Sequence, residues 1–152
     1  FNIINPYIID SNVLDLFAGT GSLGIECLSR GALSAIFVDV SKESINIVKS
    51  NIKKARVENE STILNLDFKN AIDRLKIQNK KFDIIFMDPP YYKNMFIDAL
   101  SSIDEADLLC DDGIIVVEHD TKDKFVDKIG RLEKTRDKKY GNTTLTFYKL
   151  EE

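Results

Sequence analysis

Histidine and cysteine are both scarce in this sequence of 152 residues. His119 is the single histidine, and Cys27 and Cys110 stand far apart along the chain. One histidine disfavours a histidine-based catalytic triad or a histidine-rich metal centre. Isolated cysteines resemble neither a disulfide framework nor a zinc site. We therefore expect a protein that works without a bound metal ion and without structural disulfides.

Long apolar runs and a strong excess of charge of one sign are absent too. No apolar segment approaches the length that spans a membrane, and no signal peptide is recognisable. The net charge of −4 disfavours broad non-specific binding to nucleic acid, although it leaves room for a local basic patch. Hydrophobic residues make up 43% of the chain and charged residues 30%, as in ordinary globular domains. The composition predicts one soluble, cytoplasmic domain over residues 1–152, and we expect a monomer.

Short apolar runs alternate with helical patterns along most of the chain. Strands are predicted near 13–17, 35–38, 62–66, 82–87 and 114–117, and helices near 23–30, 41–56, 68–77, 94–103 and 122–129. Beyond residue 131, two strand-like runs flank a hairpin signal at Gly141-Asn142. Five strand–helix units and a hairpin predict an α/β fold with a doubly wound, mostly parallel seven-stranded sheet that ends in an antiparallel hairpin.

The stretch Asp88-Pro89-Pro90-Tyr91 follows the fourth predicted strand directly. In an open α/β sheet, ligands bind outside the carboxyl ends of the strands. Neither proline has a backbone N–H, so this turn presents acceptors only, next to an aromatic ring. Acceptors beside a flat ring suit a nucleobase that carries an exocyclic amine. A proline-punctuated turn with an exposed aspartate would have the same sequence.

A glycine-rich loop, Gly19-Thr20-Gly21-Ser22-Leu23-Gly24, follows the first predicted strand and opens a helix. Such a loop is typical of dinucleotide-binding proteins, in which a pyrophosphate sits at the helix N-terminus. Tight packing of the helix on the sheet would also explain the glycines. Asp15, four residues before Gly19, disfavours a pyrophosphate and favours a cation. S-adenosylmethionine, with a sulfonium and an ammonium group and no phosphate, fits that requirement.

Two further aspartates end the second and third predicted strands. Asp39 could accept hydrogen bonds from ribose hydroxyls, and Asp67 from the adenine amine, although either could be a solvated strand end. Because three successive strand ends bear aspartate next to a glycine loop, a shared ligand is the better explanation.

The segment from Asp15 to Ala32 resembles a known family. Asp-Leu-Phe-Ala-Gly-Thr-Gly-Ser-Leu-Gly-Ile-Glu, with Leu-Ser-Arg-Gly-Ala after it, is similar to the bacterial 16S ribosomal RNA guanine-N2 methyltransferases, the RsmD family. Asp88-Pro89-Pro90-Tyr91 is similar to that family's amine-methylating motif. The resemblance implies a Rossmann-like, class I S-adenosylmethionine-dependent methyltransferase fold and a ribosomal RNA or small-subunit particle as partner.

The resemblance also implies the roles of individual residues. The catalytic positions are Asp88, Pro89, Pro90 and Tyr91, and the candidate cofactor-binding residues are Asp15, Phe17, Ala18, Gly19, Thr20, Gly21, Asp39, Val40, Asp67 and Phe68. The implied reaction transfers a methyl group from S-adenosyl-L-methionine to the N2 amine of a guanine. Family members carry a further N-terminal segment that helps to hold RNA, and we expect that this sequence lacks it.

Three other functions remain open from the sequence. They are an amino-methyltransferase for adenine N6 or another nucleic acid or protein substrate, a nicotinamide-dependent oxidoreductase, and a domain that binds without turnover. Basic residues alternate along the first strand of the predicted hairpin and could either hold RNA or protect a sheet edge from aggregation. These are Lys134, Arg136, Lys138 and Lys139.

Overall fold

A computed structural model of the chain describes residues 1–89, 95–122 and 126–152. One eight-stranded sheet is its centre, with the strand order β3-β2-β1-β4-β5-β8-β7-β6. The strands are β1 (Asn12–Asp15), β2 (Ser34–Val38), β3 (Ser61–Leu64), β4 (Phe82–Met87), β5 (Leu109–Asp120), β6 (Lys128–Ile129), β7 (Leu132–Tyr140) and β8 (Thr143–Leu150). Strands β1 to β5 are parallel, and β8, β7 and β6 continue the sheet in antiparallel pairing.

Helices connect the parallel strands and cover both faces of the sheet. They are α1 (Asn5–Ile8), α2 (Ser22–Ser29), α3 (Lys42–Ala55), α4 (Phe68–Ile77) and α5 (Met95–Glu105), with a short 3-10 turn at Glu58–Glu60. Ser41 begins α3 as predicted, since its side chain accepts a hydrogen bond from the backbone N–H of Ser44. None of the helices in the described ranges is long and apolar enough to cross a membrane.

The side chains of each central strand alternate between two apolar layers. Leu14 and Leu16 of the first strand and its extension pack with α4 and α5, whereas Val13 packs with α1, α2 and α3 on the other face. Cys27 is buried in the second layer, and Cys110 is half-buried; both thiols are free. The two layers fix the register of the parallel strands, because a slip of one residue would turn each apolar side chain to the wrong face.

The predicted fold is confirmed, with one difference after β5. The helix expected over residues 122–129 is wrong where the chain is described, because Lys128–Ile129 form β6 and return into β7 through Gly130 and Arg131. Gly130 has a φ of 55°, which favours glycine, and the Asp104 carboxylate accepts from the Arg131 guanidinium at 3.1 Å. The end of the expected helix is thus an eighth strand, which a two-residue turn next to an ion pair connects to β7.

Candidate functional site

The crevice for a ligand lies at the carboxyl ends of β1 and β4. The chain leaves β1 towards β2 and β3, then returns to place β4 on the other side of β1. Ligands of doubly wound sheets bind at such a reversal of strand order. The predicted glycine loop follows β1 here and Asp88 follows β4, and the Leu16 N–H donates to the Phe86 carbonyl at 3.0 Å between them. The topology therefore brings the two sequence motifs together.

The glycine loop is a tight turn with open space above it. Gly19 has a φ of 60°, and nothing lies within 4 Å of the position that a Cβ atom would take. The Gly21 N–H donates to the Ala18 carbonyl at 2.8 Å, and the Asn51 amide donates to the Thr20 carbonyl at 2.8 Å. The loop backbone is thus held from behind and left free for close approach by a ligand.

The third glycine of the motif has a packing role. A Cβ atom on Gly24 would lie 2.5 Å from Cε1 of Phe37, which is buried in β2. Helix α2 can approach the sheet this closely only with glycine at that position. The packing explanation of the motif therefore holds for Gly24, while ligand binding at Gly19 stays a prediction.

Asp15 is buried beneath the N-terminal turn of α2. Its carboxylate accepts a hydrogen bond from the Gly24 N–H at 3.2 Å, and the residue is only 3% exposed. Burial raises the pKa of Asp15 to about 7 against the effect of the Gly24 hydrogen bond, and the charges of Asp88 and Asp39 raise it further. Three carboxyl groups thus concentrate negative potential at the crevice, and a cationic ligand would relieve their repulsion.

Asp39 ties the end of β2 to the glycine loop. Its carboxylate accepts from the N–H groups of Gly19 and Ser41, both at 2.9 Å. Asn65 supports the same corner, since its amide donates to the carbonyls of Asp39 and Val40 at 3.0 and 3.1 Å. The Val40 side chain is exposed beside them. An ordered carboxylate next to an exposed apolar surface can receive a ribose and its base.

Asp67 and two aromatic rings form the next part of the same edge. Asp67 begins α4, and its carboxylate accepts from the Asn70 N–H at 2.8 Å. Phe68 packs against Phe17 with their ring centroids 5.7 Å apart and their planes at 50°. Both rings are half-buried. The structure brings Asp15, Asp39 and Asp88 together around the loop, while Asp67 lies one strand further out.

Asp88 forms a carboxyl pair that the sequence reasoning did not include. In the parallel register, Met87 of β4 lies opposite Val117 of β5, so the next residues, Asp88 and Glu118, are neighbours. The two carboxyl groups are close enough for their charges to interact. Partial burial raises the pKa of Asp88 to about 7, and the neighbouring carboxyl group of Glu118 acts in the same direction. Pro89 is half-buried beside the pair, while Pro90 and Tyr91 lie outside the described residues.

A cavity of about 350 Å³ opens next to the carboxyl pair. Its apolar walls include Phe86 of β4, Val116 of β5 and Phe147 of β8, and Glu118 lies at its margin. Arg136 and Lys138 of β7 also line it. The volume falls within the range of small-molecule pockets. An apolar chamber lined by one carboxylate, Glu118, and two cations, Arg136 and Lys138, can take a flat, polar-edged ring with phosphates attached.

Glu118, Asn51 and Asn65 are the site residues that the sequence reasoning missed. Glu118 could have been found by the same rule that selected the other acids, since it stands near the end of a predicted strand. The two asparagines carry no such signal, because they act on backbone carbonyls that only the fold brings near. Among the described residues, no group of histidine, cysteine and acidic side chains could hold a metal ion.

Comparison with known proteins gives a consistent result. The family model described as "Conserved hypothetical protein 95" matches residues 1–149. "Putative rRNA methyltransferase YlbH" of Bacillus subtilis is 40% identical over 149 residues, which cover 98% of this chain and 81% of that protein. "Ribosomal RNA small subunit methyltransferase D" of Haemophilus influenzae is 39% identical over 127 residues. That match covers 82% of this chain and 64% of the Haemophilus protein.

Solved structures share the fold along the whole chain. A conserved hypothetical protein of Streptococcus pyogenes has a TM-score of 0.90 and 35% identity, covering 100% of this chain and 92% of its own. SMU.776, a methyltransferase structure complexed with SAH, has a TM-score of 0.71 at 15% identity, with 97% and 47% covered. At that identity the likeness shows the shared fold alone. The chain belongs to the family of conserved hypothetical protein 95, the RsmD-like methyltransferases that its motifs predicted.

Proposed function

We propose that the protein transfers a methyl group from S-adenosylmethionine to the exocyclic N2 amine of a guanine in small-subunit ribosomal RNA. The observation that carries the proposal is the position of Asp88, which lies near Asp15 at the glycine-loop crevice and beside Glu118, a residue that lines an apolar cavity. The names of the related proteins support ribosomal RNA as the substrate class. Such a substrate agrees with a cytoplasmic protein.

The crevice suits the cofactor in three respects. Above Gly19 the backbone is open to the amino-acid part of the cofactor. Asp15, Asp39 and Asp88 supply the negative potential that a sulfonium and an ammonium group require. Asp39 would receive the ribose hydroxyls, with Val40, Asp67 and Phe68 around the adenine. A pyrophosphate would face the same carboxylates unfavourably, which argues against a nicotinamide dinucleotide.

When bound, the cofactor supplies an electrophilic methyl group. The N2 amine of guanine is a poor nucleophile, because its lone pair is delocalised into the ring. Hydrogen bonds from its N–H groups to the Asp88 carboxylate and the Pro89 carbonyl would favour a pyramidal nitrogen and hold it in line for attack. The N–C bond would form as the bond between the methyl group and the sulfonium sulfur breaks, which leaves S-adenosylhomocysteine. The methylated nitrogen would then give up one proton. A carboxylate whose pKa is about 7 can accept it at neutral pH.

RNA would approach from the side of β7. Lys134 is paired with Asp127 and Asp137 at 3.2 and 3.1 Å, so its charge is largely neutralised. Arg136 and Lys138 line the cavity instead and could contact the phosphates on either side of the target nucleotide. Tyr91 would stack on the extruded base, as predicted from the sequence.

The test is a methyl-transfer assay with labelled S-adenosylmethionine. Small-subunit ribosomal RNA is offered both as a naked transcript and assembled with its proteins, then digested to nucleosides. We expect the label in N2-methylguanosine, and its loss in the Asp88→Asn variant. Label in N6-methyladenosine, or equal incorporation by the Asp88→Asn variant, would contradict the proposal.

A further inference from the structure

Glu118 is the feature of this site that the proposed function does not yet use. It stands one residue beyond the Val117–Met87 pair, so β5 presents it beside Asp88 at the edge of the crevice. Its carboxyl group is close enough to that of Asp88 to raise the pKa of Asp88. It is also exposed and lines the cavity, where a base can reach it. Glu118 therefore lines the chamber directly beside Asp88, although accepting a hydrogen bond from the amine needs only one acid.

The chamber itself favours a flat ring. Phe86, Val116 and Phe147 form apolar walls from three neighbouring strands, all from the layer that packs α1 and α2. The polar side chains among the lining residues belong to Asn2, Glu118, Arg136, Lys138 and Tyr140. A base that enters with its Watson–Crick edge towards β4 and β5 would bury its faces against the walls and present its edge to both carboxyl groups.

Guanine is the base whose edge matches two carboxylates. Its N1–H and N2–H groups are adjacent donors, and an ionised carboxylate only accepts hydrogen bonds. Adenine and cytosine also carry an exocyclic amine, but each presents a ring nitrogen lone pair next to it. A carboxylate opposite that lone pair would be repelled, and such a mismatch in a buried site costs a large part of the binding energy.

We propose that Glu118 is the specificity-determining residue of this site: it accepts the N1–H of guanine while Asp88 accepts from the N2 amine. This inference rests on the proposed function, since it assigns the acceptor base of the same reaction. Entry of guanine supplies one N–H donor to each of the two carboxyl groups. Bases with a lone pair at the neighbouring ring position bind poorly, because that lone pair would face the carboxylate of Glu118 and not that of Asp88.

The test uses 2-aminopurine, which keeps the 2-amino group but has a lone pair at N1. The guanine that the wild-type protein methylates is first located in small-subunit ribosomal RNA. RNAs with either guanine or 2-aminopurine at that position are then prepared by ligation, and kcat/KM is measured on both. We expect the wild-type protein to favour guanine by about 10²-fold or more. In the Glu118→Gln variant this ratio should fall at least tenfold, because a rotated amide can donate to N1 of 2-aminopurine.

Two further variants make the result decisive. Glu118→Ala removes the acceptor without adding a donor, so it should lose turnover on guanine without gaining any on 2-aminopurine. Asp111→Asn changes an exposed carboxylate near the start of the same strand and should leave the ratio unchanged. S-adenosylhomocysteine affinity and the melting temperature, which are expected to stay at the wild-type values, exclude a general loss of structure.

The outcomes separate the two proposals. A wild-type protein that methylates no guanine at N2 would overturn the proposed function itself. If the wild-type protein methylates guanine and Glu118→Gln keeps the same preference over 2-aminopurine, the reaction stands and the role of Glu118 is wrong.

Discussion

At the scale of single residues, the site contains two acids, Asp15 and Asp88, whose pKa burial raises to about 7. Asp15 is the clearest case, because its pKa is raised to about 7 while the unfolded chain titrates near the ordinary value of 3.8. Between those two pH values the folded protein binds more protons than the unfolded one. The stability contributed by this residue therefore falls as the pH rises from about 4 to about 7. The fold retains an acid that weakens it at neutral pH.

Replacement of Asp15 should stabilise the protein and weaken its binding of the cofactor. Asp15→Asn removes the buried charge, so we expect a higher melting temperature than the wild type at pH 7.5 and little difference at pH 4. S-adenosylhomocysteine should bind more weakly to the variant at pH 7.5, because its cationic ammonium group loses a counter-charge. Thermal unfolding at the two pH values and calorimetric titration measure both effects. A variant that is less stable than the wild type at pH 7.5 would contradict this account of the buried carboxyl group.

Asp88 should separate catalysis from cofactor binding. Asp88→Asn keeps the size of the side chain but replaces the charged acceptor, and we expect turnover to fall by about 10²-fold or more. The affinity for S-adenosylhomocysteine should stay within a few-fold of the wild type. The wild-type rate should rise with pH through about 7 as the carboxyl group ionises. Steady-state kinetics against pH and a binding titration test this, and normal turnover by Asp88→Asn would exclude the acceptor role.

At the scale of elements, we expect the glycine loop to bind the cofactor, whereas helix α2 packs closely on the sheet at Gly24. Gly19 and Gly141 offer a matched comparison, since their φ angles are 60° and 61° and both have open space at the Cβ position. Alanine at either should cost about 1 kcal/mol of stability through the left-handed backbone. Only Gly19→Ala should also weaken binding of S-adenosylhomocysteine. Equal cofactor affinity of both variants, measured by calorimetry, would show that the loop does not face the ligand.

Gly24 should behave in the opposite way. A methyl group there would meet the Phe37 ring 2.5 Å away, and over-packing of this kind costs about 1–3 kcal/mol. We expect Gly24→Ala to lower the free energy of unfolding in denaturant titrations by that amount. Below the unfolding transition it should still bind S-adenosylhomocysteine. A stable Gly24→Ala protein that has lost the ligand would reverse the assigned role.

At the scale of the whole molecule, a net charge of −4 leaves the RNA-binding surface to local clusters. Arg136 and Lys138 line the cavity, whereas Lys53 and Lys54 lie near the end of α3 on a separate element. The double alanine variant at 136 and 138 should weaken RNA binding and reduce the slope of log affinity against log salt by about 1.4–1.8, because two phosphate contacts are lost. The matched double variant at 53 and 54 should change neither. Filter binding over a salt series tests both variants. Equal effects of the two double variants would mean that the cavity-lining cations do not form the main RNA-binding surface.

Much of the fold and of the cofactor crevice could be predicted from local patterns. Parallel strands read as short apolar runs, and their carboxyl ends share one edge of the sheet, so acids at several strand ends are brought near one another. For this reason Asp15, Asp39, Asp88 and the glycine loop were found without coordinates. The hairpin at Gly141-Asn142 was found from its turn residues alone.

Other features of the site depend on pairing between distant segments of the chain, and only the tertiary structure shows them. Glu118 lies beside Asp88 because β4 and β5 are paired with Met87 opposite Val117, and a shift of one residue would place Val117 or His119 there instead. A break in register between Lys134 and Arg136, where β7 pairs with β8, sets the face on which the basic side chains lie. A sequence shows where strands run, but register is fixed by apolar side chains that pack between elements far apart in the chain. The residues of the crevice followed from the sequence, whereas the acid pair and the cavity beside it followed from the packing of the sheet.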